Sequence, residues 1–107
     1  MSILRRKERP VAVAEPVDAT IVSIADASAR ERVRVSGKVT RMRARPSSGL
    51  PSLAVTITDD TGTITAVWTG RRAIGGISLG RKLVVEGVAV RRGSALEFMN
   101  PSYTLLP

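Results

Sequence analysis

The stretch LAVTITDDTGTITAVWTG, residues 53–70, decides the fold. Apolar and polar residues alternate on both sides of an acidic centre, and this period of two is typical of a strand with one buried face. Asp59, Asp60 and Gly62 supply turn chemistry, because aspartate side chains bond to the nearby backbone and glycine accepts a positive φ angle. We therefore predict a β-hairpin with one face in a core and the other open to a partner.

Three more strands surround this hairpin in the sequence. The strand at 32–45 contains Gly37, and a glycine inside a strand often marks a bulge or a sharp bend. A further strand follows at 83–91, and the last, at 95–105, is interrupted at Asn100–Pro101 by a proline that suits an edge or a bulge. Five bent strands in a short chain predict a small closed barrel, because closure removes most exposed edges.

The other segments predict little regular structure. Residues 1–17 form a basic, proline-containing arm that either contacts phosphates or is a solvated tail. Residues 18–31 predict a short helix or an extended segment, and the glycine-rich connector at 71–82 predicts at most one helical turn. We expect residues 18–107 to form a single domain.

The charge of the chain indicates a polyanionic partner. Its 107 residues include 17 Lys and Arg against 9 Asp and Glu, which gives a net charge of +8 and a pI near 11.5. Fourteen of the basic residues are Arg, which favours bidentate phosphate contacts. Such an imbalance in a small domain is typical of nucleic-acid binding, although the Arg-rich composition of a GC-rich genome would also produce it.

Several classes of function are disfavoured. The chain has no cysteine and no histidine, so disulfides, thiolate metal sites and the commonest general base are missing. The pair Asp59–Asp60 is explained by the turn, and no nucleophile–base pair or phosphate-cradling loop occurs. We expect no enzyme activity, no cofactor and no metal. No apolar run of about 18 residues is present, so we expect a cytoplasmic protein that does not bind membranes.

Three motifs carry a resemblance to a known family. They are the Asp-x-x-Gly turn at Asp59–Gly62, the segment Gly80–Gly87 that leads into the fourth strand, and the ending Asn100-Pro101-x-Tyr103. Together, residues 30–105 resemble the OB-fold nucleic-acid-binding family, and the ending is similar to the wedge OB domain of RecG-type helicases. The resemblance implies an all-β, five-stranded OB-fold Greek-key barrel that binds nucleic acid, with single-stranded or branched DNA favoured over RNA.

The resemblance also implies where ligands bind. OB domains bind along the outer face of their second and third strands and the adjoining loops. The residues that this implies for nucleic-acid binding are Lys38, Arg41, Arg43, Arg45, Thr56, Thr65, Trp68, Arg71, Arg72, Arg91, Arg92 and Tyr103. A scattered, solvated set of arginines is the alternative interpretation.

The aromatic residues leave alternatives open. Trp68 lies on the same face of its strand as Ile64, which favours the core. Trp68 is therefore either a core residue or a stacking platform. Phe98 has the parity of Leu96, which favours the core, and Tyr103 either caps the barrel or meets a ligand.

We therefore expect a non-enzymatic nucleic-acid-binding protein that uses arginine–phosphate contacts and limited stacking. The alternatives are a protein-interaction adaptor and, less favoured, a regulatory domain that binds a small anion.

Overall fold

The computed structural model describes residues 21–45, 49–70 and 73–107, so the predicted basic arm at 1–17 lies outside the described residues. These residues form seven strands and one 3₁₀ turn. In chain order they are β1 (Ile21–Val22), the 3₁₀ turn (Ile24–Asp26), β2 (Arg32–Ala44), β3 (Ser52–Thr58), β4 (Thr63–Thr69), β5 (Lys82–Arg92), β6 (Ala95–Met99) and β7 (Ser102–Leu105). No helix in this part of the chain has the length and hydrophobicity needed to cross a membrane.

Five of the strands form a closed ring in the order β2–β3–β4–β6–β5, and β5 pairs again with β2. All pairs in the ring are antiparallel except β4 with β6, which run parallel. β1 adds to β2 in parallel, and β7 adds to β5. The predicted all-β, five-stranded OB architecture is confirmed. Of the two alternatives predicted for 18–31, the described part favours the extended one, since it contains β1 and a single 3₁₀ turn.

Strand β2 changes partner at Gly37 and Lys38. Lys38 pairs both with Thr58 of β3 and with Lys82 of β5. A Cβ atom added to Gly37 would lie 2.7 Å from the Ile57 Cγ2 atom and 2.7 Å from the carbonyl oxygen of Thr58. Only glycine fits here without displacing the β3 backbone, which explains the glycine that the sequence places inside this strand.

The bulge in β2 lies three residues beyond the predicted one. The register with β3 shifts between Val39 and Arg41, and not at Gly37. The extra residue changes the phase of the alternation, because two residues of the bulged strand then oppose one of its partner. Val39 therefore points into the core, and Arg41 and Arg43 point outward.

The predicted fifth strand consists of β6 and β7, which lie end to end against β5. Ala89 pairs with Phe98, and Glu86 pairs with Ser102. Between these two pairs, the β6–β7 side contains one residue more than β5. Asn100 adopts a positive φ of 51°, a conformation that asparagine tolerates better than most residues. The interruption predicted from the proline is confirmed as a one-residue bulge.

The core consists of side chains that point into the ring. The largest fully buried side chains of this cluster include Val35, Val39, Val55, Ile57, Ile64, Leu83, Val85 and Phe98. Phe98 is completely buried, as its parity predicts. Ile24 of the 3₁₀ turn, together with Ile74 and Ile77 of the connector, packs against this cluster.

The turn between β3 and β4 also fixes the 3₁₀ turn. The Asp59 carboxylate accepts hydrogen bonds from the Thr61 hydroxyl and from the N–H groups of Thr61 and Gly62, at 2.7, 2.7 and 3.0 Å. Its second oxygen accepts the Ile24 N–H at 2.9 Å. Burial raises the pKa of Asp59, but the hydrogen bonds from Thr61, Ile24 and Gly62 outweigh burial and leave the pKa below its ordinary value.

We predict that Gly37→Ala lowers the free energy of unfolding by about 1–3 kcal/mol, because the added methyl group collides with the β3 backbone. Gly75→Ala is the matched control, since a Cβ atom at Gly75 meets nothing within 4 Å. Urea denaturation followed by circular dichroism measures both variants. Equal stability of Gly37→Ala and wild type would contradict the close approach.

We predict that Asp59→Asn lowers the free energy of unfolding by about 2 kcal/mol at neutral pH, because the charged acceptor of four hydrogen bonds is lost. Since the folded-state pKa is lowered, this stabilisation is complete above the unfolded-state pKa of about 4 and is lost as the pH falls through the folded-state value. Asp60→Asn, at an exposed position beside it, is the control. Denaturation at several pH values measures the difference, and a pH-independent difference would contradict the assignment.

Candidate nucleic-acid interface

The outer surface of β3 and β4 carries a row of threonines. Thr56 of β3 pairs directly with Thr65 of β4, as their shared outward parity predicts. Further along, the Thr58 hydroxyl lies 3.1 Å from the Thr40 hydroxyl and 3.3 Å from the Thr63 hydroxyl. This surface is polar and offers hydroxyl groups, but no aromatic ring.

Two exposed arginines of β2 border the threonine row. Arg41 pairs with Thr56, and Arg43 pairs with Ala54, so both side chains leave the sheet on its outer face. In the described part of the chain, neither side chain makes a hydrogen bond or ion pair. Their guanidinium groups are therefore available to an anion.

Arg45 crosses the same outer face. It follows the end of β2, and its Nη1 and Nη2 atoms donate to the Glu97 carboxylate of β6 at 3.0 and 3.1 Å. Because β3 and β4 lie between β2 and β6 in the sheet, the Arg45 and Glu97 side chains together bridge both strands. The hydrogen bond from Arg45 to Glu97 raises the pKa of Arg45.

Arg92 reaches Glu97 from the other side. Its Nε atom lies 3.4 Å from the Oε1 atom of Glu97, and Arg92 stands next to the turn between β5 and β6. The sequence predicted that arginines from this turn and from the end of β2 meet at one surface. Arg45 and Arg92 do meet there, whereas Arg91 is exposed without contacting Glu97.

We call this surface the arginine face. Its members are Arg41, Arg43, Arg45, Thr56, Thr65, Arg92 and Glu97.

The sheet surface next to Arg45 is inaccessible to solvent. Ser52, Ala54 and Val67 have outward parity, yet their exposures are only 1%, 4% and 1%. The Ser52 hydroxyl is buried without a hydrogen-bond partner in the described structure. These burials fit an extended Arg45 stem that lies over β3 and β4, since long basic side chains cover apolar surface with their methylene groups.

Glu97 is a member of the arginine face that sequence analysis missed. Its position between Leu96 and Phe98 indicates an outward side chain, but nothing in the local pattern identifies its partners. Arg45 is 52 residues away in the sequence, so their pairing depends on ring closure.

Two predicted site residues have structural roles instead. Trp68 is only 6% exposed, and its Nε1–H donates to the Pro101 carbonyl at 3.0 Å. Of its two predicted roles, this burial favours the core. Tyr103 packs edge-to-face on Trp68 at 5.8 Å, and its hydroxyl donates to the Gly75 carbonyl at 2.9 Å. Of its two predicted roles, this geometry favours capping the ring.

Lys38, another predicted site residue, does not join the arginine face. Lys38 lies opposite Lys82 and lines a cavity of about 270 Å³ with Ser36, Thr58 and Asp60. Arg71 and Arg72 lie outside the described residues. In the described ranges, no group of three or more His, Cys, Asp or Glu side chains is placed to hold a metal ion.

Comparisons with solved structures agree with the ring topology. A replication factor A-related protein from Methanobacterium thermoautotrophicum is similar with a TM-score of 0.66 and 17% identity, over 87% of this chain and 96% of that one. An OB domain from Methanosarcina mazei is similar with a TM-score of 0.64 and 14% identity, over 81% of this chain and 84% of that one. At these identities the likeness shows the fold alone.

Sequence comparison identifies the family. Comparison with curated proteins gives no significant match. A family model does match, that of the OB-fold nucleic acid binding domain of the tRNA anti-codon type, over residues 33–106. That range covers more than half of the chain and all five strands of the ring. The chain therefore belongs to the family of OB-fold nucleic-acid-binding domains.

Proposed function

We propose that this protein is a non-enzymatic binder of nucleic acid that holds phosphates on the arginine face. The observation that carries the proposal is the meeting of Arg45 and Arg92 from opposite sides of the β3–β4 surface, with Arg41 and Arg43 exposed beside them. In the OB family, this is the surface on which ligands bind. The guanidinium group of arginine suits phosphate, because it can donate two parallel hydrogen bonds to the phosphate oxygens.

The same geometry argues for weak dependence on base sequence. Phosphate contacts fix a nucleic acid in place but carry no sequence information. Stacking on aromatic rings is the usual second source of affinity for single strands, and here Trp68 is buried and Tyr103 is engaged in packing. We therefore expect modest affinity that falls steeply with salt.

Single-stranded or branched DNA is the partner that we propose in preference to RNA. The similar ending of RecG-type wedge domains supports this choice, as does the structural neighbour described as related to a replication factor. A cytoplasmic location stays a prediction from the sequence.

A protein-interaction adaptor is the second candidate. Val88 and Val90 of β5 and Met99 of β6 are 47%, 36% and 39% exposed on neighbouring strands, outside the core. Exposed apolar patches of this kind mark protein-binding surfaces. A salt titration with a labelled oligonucleotide separates the candidates, because an adaptor would show no binding even at about 50 mM salt, where phosphate contacts are least screened.

We predict that the double variant Arg41→Ala/Arg43→Ala weakens binding to a single-stranded oligonucleotide about tenfold at low salt. The slope of log K against log salt should become shallower by about 1.4, because two phosphate contacts are lost. Fluorescence anisotropy at several salt concentrations measures both effects.

The matched control is Arg30→Ala/Arg81→Ala. These arginines are also exposed, but Arg30 bonds through its backbone to Ala89 of β5, and Arg81 directly precedes β5. The control removes the same charge at positions that do not belong to the arginine face. If both double variants lose affinity equally, net charge and not the arginine face determines binding.

We predict that Trp68 fluorescence changes little when a saturating oligonucleotide is added, because its indole is buried and bonded to Pro101. Trp68 is the single tryptophan of the chain, so the signal is unambiguous. The emission should be blue-shifted and resistant to quenching by iodide. Strong quenching by the oligonucleotide would favour the stacking role instead.

A further inference from the structure

A buried carboxylate lies in the middle of the arginine face. The Glu97 side chain is only 9% exposed and stands beside Thr65 of β4. Because a carboxylate repels phosphate, charge alone suggests that Glu97 weakens the binding of nucleic acid. The contacts of its two oxygens indicate a different role.

Both oxygens of Glu97 are occupied by arginine. Oε2 accepts from Nη1 of Arg45 at 3.0 Å, and Oε1 accepts from Nη2 of Arg45 at 3.1 Å and lies 3.4 Å from Nε of Arg92. A buried carboxylate without its partners is strongly unfavourable. Arg45 is therefore held across β3 and β4 and is not free to swing into solvent.

Most donors of the two arginines are still available. A guanidinium has five N–H groups, and Glu97 accepts hydrogen bonds from two of those of Arg45, while Nε of Arg92 forms an ion pair with it at 3.4 Å. The side chains of Arg45 and Arg92 are 39% and 59% exposed, so their unused donors are accessible from solvent. The three side chains together keep a net positive charge.

We propose that Glu97 is a positioning residue that holds Arg45 and Arg92 side by side as a clamp for one backbone phosphate. This inference rests on the proposed function. The clamp is ordered when the protein folds, so binding does not have to immobilise a long arginine side chain. It also requires arginine at position 45, because lysine cannot bond to a carboxylate as a fork and keep donors for a phosphate.

The test is the affinity of Glu97→Gln for a single-stranded oligonucleotide at low salt. We expect binding about fivefold weaker than wild type, which corresponds to the cost of ordering one flexible side chain. If Glu97 acted only through its negative charge, Glu97→Gln would instead bind the oligonucleotide more tightly than wild type.

Glu86→Gln is the matched control. Glu86 lies on β5 and pairs with Arg34 at 2.7 Å and with Arg32 at 3.4 Å, away from β3 and β4. This variant makes the same change in charge, and we expect its affinity to equal or slightly exceed that of wild type. Thermal unfolding of each variant establishes that binding is measured on folded protein.

A second pair of variants keeps the charge constant and serves if Glu97→Gln does not fold. Arg45→Lys should weaken binding about fivefold, because the fork that joins Glu97 is lost. Arg30→Lys, at an exposed position outside the arginine face, should stay within about twofold of wild type.

The outcomes separate the two proposals. If wild type does not bind the oligonucleotide, the proposed function itself fails. If wild type binds and Glu97→Gln binds as tightly or more tightly, the clamp is overturned and the proposed function stands. Arg45→Lys with wild-type affinity also overturns the clamp.

Discussion

The ring closes because β2 pairs with two partners, and this depends on a close approach that only glycine permits. At Lys38, β2 pairs with both β3 and β5, and one residue earlier Gly37 lies against the β3 backbone. A side chain there would force the two strands apart. Just beyond this point, the register shift between Val39 and Arg41 turns the later arginines outward. The glycine and the bulge therefore determine both the closed core and the position of positive charge on its surface.

The arginine face depends on that closure. Arg45 follows β2, whereas Glu97 lies on β6 and Arg92 on β5. These side chains meet only because the sheet curls into a closed ring. Their ion pairs join the borders of the surface across its centre. The polar surface and its ordered arginines are the reason that we propose contacts with phosphates and not with bases.

Much of the fold was predictable from local sequence, because alternation and turn chemistry act over a few residues. The hairpin at 53–70, the burial of Phe98 and the interruption near Pro101 follow from such patterns. Sequence could not decide the role of Trp68, since the hydrogen-bond partner of its indole is a carbonyl group 33 residues away. It also could not reveal the partners of Glu97, because tertiary contacts of this kind have no local signal.

The most direct test of the account is to map binding onto the protein by NMR. ¹⁵N-labelled protein is titrated with a short oligothymidylate, and backbone, indole and guanidinium signals are followed. We expect the largest shifts on the outer positions of β3 and β4 and at the Arg45 and Arg92 side chains, with little change at the Trp68 indole. Largest shifts around Lys38 and Lys82, or an absence of shifts on β3 and β4, would contradict the central claim that the arginine face binds nucleic acid.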